Sequence, residues 1–484
     1  MSELATTGAE LETILAAADA AAKQWGQRSA ADRAAVLVAA ADALDAAAQE
    51  LLPIAEAETN LPEARLAGEL KRTTFQLRLF AELLNDGGYL DARIDHADEG
   101  WPMGARPDIR RVLEPLGPVV VFAASNFPFA FSVAGGDTCS ALAAGCSVVL
   151  KAHPGHPRLS AAVGRVTAEA LEGAGAPSGL LALVYGTQAG RDVLLDPRIR
   201  AGAFTGSIQG GRALFDVATS RPEPIPFYGE LGSVNPVFVT EAAAIARGPE
   251  IVSAFVQSYT MGAGQFCTKP GILLIPAGST MVAELAAASR PAPAKLLNDR
   301  IQQGYTASLQ SLLEHDAVAS LGGAEDTLAS PPAPALNVTT AQALLEDPEG
   351  LITECFGPAA LVATYRDESE LLAVAGVLDG QLTATIQGED TDAIAPELVR
   401  VLAGKAGRVL WNQWPTGVSV TYAQQHGGPY PATTAPTSTS VGTAGITRFL
   451  RPVAYQGLPA HLLPAALRDG NPLGVPQRIN GATA

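Results

Sequence analysis

At 484 residues the chain outgrows a single ordinary hydrophobic core, so two or three domains are expected. Its 48% apolar content suits packed cores, and 17% charge excludes an extended disordered polymer. The 49 acidic and 32 basic residues leave a net charge of −17, and no basic cluster interrupts it, which excludes a nucleic-acid partner.

The first 26 residues carry acid where a secretory signal carries base, so no export segment is expected. The four cysteines (139, 146, 267 and 355) lack CxxC spacing and are sparse for the length, which points to a reducing, cytoplasmic compartment. Residues 8–85 repeat apolar positions every three or four residues and predict packed helices. The polar, Pro- and Gly-punctuated segment 95–111 predicts a connector or protruding ribbon. Residues 116–136 hold no charge and are long enough to span a bilayer, but Pro118, Asn126, Pro128 and the Gly135-Gly136 pair would break a lipid-exposed helix. A buried strand, a turn and a buried helix are expected there, and no membrane partner.

From here short apolar runs alternate with helical segments. Strands are predicted at 119–123, 147–151, 179–186, 203–205 and 226–230, with helices near 133–144, 158–173 and 209–219. Fully apolar strands alternating with helices indicate a parallel sheet covered on both faces. Ligands bind such sheets at the carboxyl ends of the strands. A second unit begins near 235, with NPVFV, a helix at 249–262 and strands at 271–276, 359–365 and 407–413. The stretch 429–443 is expected to be irregular and the tail 452–484 to wrap over another surface. There is no internal repeat.

Several residues could carry chemistry. Cys267, in GAGQFCTKPG, lies between a helix and a strand with glycines on both sides; a thiolate there could attack a carbonyl carbon, although a lone cysteine is more often a small core residue. Glu230 ends a strand and could activate water; alone, it reads as a solvated acid. Asn126 follows a strand and could donate to an oxyanion, against the plainer reading of a turn residue before proline. Gly206, Ser207 and Gly211 in FTGSIQGG open a helix whose N–H groups suit a pyrophosphate, but the spacing matches no standard phosphate loop. Lys151 ends a strand and could contact ribose or phosphate. Cys139, Cys146 and Cys355 read as core residues, and the six histidines show no informative placement.

Taken in order, NFP, the strand-end lysine, FTGSxxxG, ELG, GQxC and ExFGP resemble the aldehyde dehydrogenase superfamily over nearly all the chain. The resemblance implies an α/β fold with a Rossmann-type cofactor domain (1–94 and 116–231), an α/β catalytic domain (232–430) and an oligomerisation element (95–115 and 431–484). It implies Cys267 as nucleophile, Glu230 as general base, and Asn126 as oxyanion donor beside the Cys267 backbone N–H. Gly206 and Gly211 would face the cofactor pyrophosphate; Glu354 and Phe356 would hold the nicotinamide ribose and ring. No metal is needed. Relatives preferring NAD place Glu three residues after the lysine; here that position is Pro154, so nothing repels a 2′-phosphate. Lys151, with His153, His156 or Arg158, could favour it, so NADP is expected, with NAD possible.

KAHPGHP, SNFPFAFSVAGGDT, HGGPYPATT and STSVGT further resemble the 2-oxoglutarate semialdehyde (2,5-dioxopentanoate) dehydrogenase branch, which is itself similar to NADP-linked fatty aldehyde dehydrogenases. Phe129, Phe131 and Phe266 flank the motifs and could line the aldehyde tunnel. No residue suggests itself for a substrate carboxylate. The resemblance also implies a homodimer or homotetramer. An acylating dehydrogenase is disfavoured by Glu230, and a catalytically dead structural homologue by the joint presence of Cys267, Glu230 and Asn126.

Overall fold

A computed structural model describes residues 5–322 and 326–483. Four helices, Gly8–Trp25, Ala30–Ala46, Ala48–Thr59 and Glu63–Asp86, open the chain. Thr7 starts the first by a capping box with Glu10, each side chain satisfying the other's backbone N–H. Leu37, Leu44, Leu66, Leu77 and Phe80 from these helices pack against Val119, Val121, Val148 and Leu150. Trp25 ties the layers together by donating to the Leu142 carbonyl at 2.8 Å.

The first sheet is wholly parallel, in the order Leu181–Val184, Val148–Lys151, Val119–Phe122, Ala201–Thr205, Phe227–Glu230. The strand order reverses direction on either side of Val119–Phe122, so the carboxyl edge there opens as the crevice where doubly wound sheets bind ligands. The uncharged run 116–136 resolves into this strand, a turn and the start of helix Gly136–Ala144. Among the described residues no helix is long and apolar enough to cross a membrane.

A second sheet of seven strands runs Ala319–Ser320, Ala335–Thr340, Ala359–Tyr365, Ile272–Pro276, Val237–Val239, Gln381–Gln387, Ala406–Trp411. All its pairings are parallel except that of the short first strand. The helix expected to begin at 249 begins at Glu241, capped by Thr240, and Arg247 breaks its geometry two residues before Pro249. A proline needs no N–H donor at the start of a fresh turn, so the kink accommodates it.

The third sheet joins Leu450–Gln456, Ile109–Pro115, Ala92–Asp95, Gln477–Ile479 and Ala482–Thr483. It thus takes in residues 92–94, ahead of the expected connector. The segment 431–449, grouped in the sequence reading with this ribbon, instead crosses the carboxyl edge of the first sheet: Glu230 and Thr433 form a β-bridge, and Leu231 N–H donates to the Ala432 carbonyl at 2.8 Å.

Candidate active site

Glu230 ends its strand opposite Thr205, and only 3% of its surface is exposed. The crossing segment brings two partners to it. Ser440 Oγ donates to one carboxylate oxygen, and His426 Nε2 lies 2.8 Å from the other. The same Nε2 is 3.5 Å from Cys267 Sγ. Cys267, His426 and Glu230 therefore form one buried cluster, gathered from positions far apart in the chain.

The electrostatics of the three are linked. Burial pushes the Glu230 carboxyl up, but His426, Ser440 and Cys267 together outweigh it and hold the group below the usual carboxylate range. Burial, and then the Glu230 charge, push the Cys267 thiol well up, against a smaller opposing pull from Arg72. At neutral pH the site thus holds a carboxylate beside a thiol. On the tautomer protonated at Nε2, that nitrogen can donate to the carboxylate oxygen or to Sγ.

The Cys267 loop is fastened from below. Asn235, fully buried with φ +54°, donates from Nδ2 to the carbonyls of Cys267 at 2.8 Å and Lys269 at 2.9 Å. Its Oδ1 accepts from Ser233 and Thr383. The Cys267 backbone N–H donates to no described residue. Asn126, also buried, uses Nδ2 on the Gln265 carbonyl at 3.2 Å, which sets its amide beside the same loop. An amide has a second hydrogen to offer.

Of the three phenylalanines expected near the aldehyde, Phe131 and Phe266 cluster with Phe127, each 5.3 Å from it between ring centres. Phe131 also faces His426 at 6.4 Å. Phe129 does not join them. It is 1% exposed and packs into the core beneath the helical layer. Phe127 takes its place, since the irregular turn sends Phe129 into the core and Phe127 toward Phe131 and Phe266.

At the cofactor edge, Ser207 caps helix Ile208–Thr219 by accepting from Gly210 N–H at 3.2 Å. Gly206 to Gln209 are exposed there, leaving first-turn N–H groups open to an anion. A Cβ on Gly232 would lie 2.6 Å from Glu354 Oε2 and 3.1 Å from Ile208 Cγ1, so Glu354 reaches the same helix start across a gap only glycine leaves. Burial pushes Glu354 up to about 7, despite Lys269 and the Ser233 N–H. Phe356 follows, half-buried. These residues fit a dinucleotide.

At the other end of that edge Lys151 and His153 are half-buried and Pro154 is exposed. His153 accepts from Gly155 N–H at 3.0 Å, and burial, then the neighbouring His156 and after it Lys151 and Arg300, keep its ring neutral. His156 is built into the fold, between Ser160 and the Ala124 carbonyl. Arg158 pairs with Glu58 at 3.2 Å. Neither His156 nor Arg158 therefore stands out as the phosphate contact suggested by sequence.

Cys139 and Cys146 are fully buried. The trio Glu230, Cys267 and His426 has its donor atoms close enough to hold a metal ion.

The aldehyde dehydrogenase family model matches residues 3–430. Alpha-ketoglutaric semialdehyde dehydrogenase 2 of Azospirillum brasilense is 46% identical, covering 93% of this chain and 87% of its own. Alpha-ketoglutaric semialdehyde dehydrogenase of Acinetobacter baylyi is also 46% identical, covering 89% and 83%. Among solved structures, 1-pyrroline-5-carboxylate dehydrogenase from Thermus with bound NAD superimposes with a TM-score of 0.76 over 93% of this chain and 86% of that one, at 21% identity, a likeness of fold. The chain belongs to the aldehyde dehydrogenase family and is an NAD(P)-dependent oxidoreductase acting on aldehydes.

Proposed function

We propose that this enzyme oxidises 2-oxoglutarate semialdehyde to 2-oxoglutarate through a thioester on Cys267. The contact of Cys267 with His426 and Glu230 carries the mechanism, and the two relatives at 46% identity support the substrate.

Glu230 takes the thiol proton of Cys267. The His426 Nε2–H, 3.5 Å from Sγ, then donates to the thiolate and lowers the cost of forming it. The thiolate adds to the aldehyde carbon, and the oxyanion settles between the Asn126 amide and the unused Cys267 N–H. A bound nicotinamide ring supplies the hydride acceptor that turns this adduct into a thioester. Glu230 gives up its proton into the small cleft behind it, where Tyr228, Thr433, Ser438 and Ser440 offer hydroxyls, and regains its charge. It then draws a proton from water, and hydroxide releases the acid. Gly206 and Ser207 would hold the pyrophosphate; Gly211, expected beside them, is instead buried where a Cβ would meet Leu231 at 2.0 Å and so seats the helix on the sheet. Glu354 and Phe356 would hold the nicotinamide ribose and ring.

NADP is the favoured cofactor: Pro154 puts no carboxylate beside a 2′-phosphate, and Lys151 ends the adjacent strand. The enzyme acts in the cytoplasm as a homodimer or homotetramer built on the third sheet.

The test is turnover of 2,5-dioxopentanoate, succinate semialdehyde and a long-chain aldehyde, each with NAD and NADP, followed as reduced cofactor. The highest kcat/KM for 2,5-dioxopentanoate with NADP is expected. Preference for the long-chain aldehyde would overturn the substrate and leave the Cys267 chemistry intact.

A further inference from the structure

Helix Glu63–Asp86 sends two arginines toward the aromatic cluster beside Cys267. Arg65 packs against two rings at once, its guanidinium 5.0 Å from the Phe127 ring centre and 4.7 Å from that of Phe266. It donates to the Asn126 carbonyl at 2.6 Å, while its Nε and Nη1 are buried without a partner. Two turns along, Arg72 stands 5.9 Å from Phe127 and 5.6 Å from Phe131. Arg72 donates no hydrogen bond to any described residue and forms no ion pair with one. Its buried Nε is likewise unpartnered. Glu69, on the same helix, is the carboxylate facing both, and it spends one oxygen on the N–H groups of Phe129 and Ala130.

This arrangement is costly as a purely structural one. Rings stacked on a guanidinium satisfy its faces, but its N–H donors lie in the plane and still need acceptors. A half-buried cation among apolar rings, with no hydrogen bond to a described residue and with Glu69 near but not ion-paired to it, is a site prepared for a further anion. The rings that hold Arg72 lead to the reacting groups: Phe131 faces His426, and Phe127 packs on Phe266, the residue before Cys267. Arg72 lies within the electrostatic reach of Cys267 and Glu230. An extended five-carbon chain places its carboxylate about 5 Å from its aldehyde carbon, from C–C bonds of about 1.5 Å.

We infer that Arg72, held in place by Phe127 and Phe131 and backed by Arg65, binds the carboxylate of a short aldehyde acid and so selects it over an uncharged aldehyde. This rests on the proposed substrate. The planar fork of the guanidinium matches a carboxylate in a two-bond pairing, and the rings exclude water that would weaken it.

The test compares two matched pairs, succinate semialdehyde with butanal and 2,5-dioxopentanoate with pentanal, in the wild type and in Arg72→Met and Arg72→Lys. Arg72 also favours the Cys267 thiolate, so its loss slows every aldehyde; the readout is therefore the ratio of kcat/KM within each pair, from which that effect cancels. In Arg72→Met the acid-to-neutral ratio is expected to fall about 10- to 100-fold, the range for losing a charge-assisted hydrogen bond, mainly through KM. Arg72→Lys, which keeps the charge without the fork, should restore part of it. Ratios unchanged in Arg72→Met, with the protein folded by circular dichroism, would overturn the inference. A wild type that prefers pentanal would instead overturn the proposed substrate, and a fall in the succinate semialdehyde ratio would still establish the carboxylate site. As a second readout, glutarate should inhibit the wild type competitively against aldehyde and lose that inhibition in Arg72→Met; equal inhibition of both would count against the site.

Discussion

At the residue scale the site turns on where one proton sits. Glu230 is held ionised and Cys267 protonated, each partly by the other. A thiol raised above its ordinary value has little thiolate at neutral pH and gains it as pH rises. Inactivation by iodoacetamide, and kcat/KM, should therefore climb into the alkaline range. Removing the charge that raises the thiol, in Glu230→Gln, should move the alkylation inflection to lower pH. Removing the donor that stabilises the thiolate, in His426→Ala, should move it higher and slow acylation roughly 10- to 100-fold. Shifts in the same direction would refute the division of roles. Glu230→Gln has a second signature: its thiol, freed of the neighbouring charge, ionises to solvent as pH rises, so a burst of one equivalent of reduced cofactor should persist at alkaline pH while turnover slows roughly 100-fold or more for want of the water base. Absence of a burst even at alkaline pH would mean that the thiol proton has no exit other than Glu230.

The motifs made Cys267, Glu230 and Asn126 legible because each lies beside glycine or proline in a short signature. His426 was not. It sits in an irregular loop, and nothing in HGGPYP states that the loop crosses the strand end bearing Glu230. Arg65 and Arg72 hid for a different reason: charged residues on an amphipathic helix read as its solvated face, and only the packing of the helix against the 126–131 turn shows otherwise. The choice of Phe127 over Phe129 was equally hidden, because an irregular turn has no period from which to read direction.

At the element scale, strands of the first sheet were legible from continuous apolar runs, and the structure returns them within a few residues. The turn before Cys267 was not, since its shape comes from long-range contact. Gly262, Ala263 and Gly264 all take left-handed φ, near +58°, +55° and +68°. A Cβ on Gly264 would lie 2.0 Å from the Gly357 carbonyl oxygen, so the Cys267 loop and the Glu354–Phe356 loop interlock through that glycine. Gly264→Ala pairs a left-handed penalty of about 1–2 kcal/mol with overpacking of about 1–3 kcal/mol. Thermal unfolding should record a lower Tm, and kcat should fall with it as the loops part. An unchanged Tm would show that the interlock yields freely.

At the scale of the whole molecule, the C-terminal segment binds the parts together, and sequence alone could not place it because its partners lie hundreds of residues upstream. Arg448, 2% exposed at its side chain, pairs with Asp137 at 2.7 Å and stacks 5.8 Å from the Tyr228 ring centre. It thereby joins the tail to the helix after the Asn126 turn and to the strand that ends in Glu230. Burial pushes the Asp137 carboxyl up and Arg448 pulls it back. Leaving one partner of such a buried pair uncompensated costs about 3–5 kcal/mol, whereas replacing both by apolar residues of similar volume is often neutral. Asp137→Leu should therefore unfold at a markedly lower temperature, and Asp137→Leu with Arg448→Met should recover most of the loss. If the pair serves only stability, the recovered double variant regains full activity. If the tail must also hold Ser440 against Glu230, its Tm returns while deacylation stays slow, and calorimetry beside single-turnover kinetics separates the two.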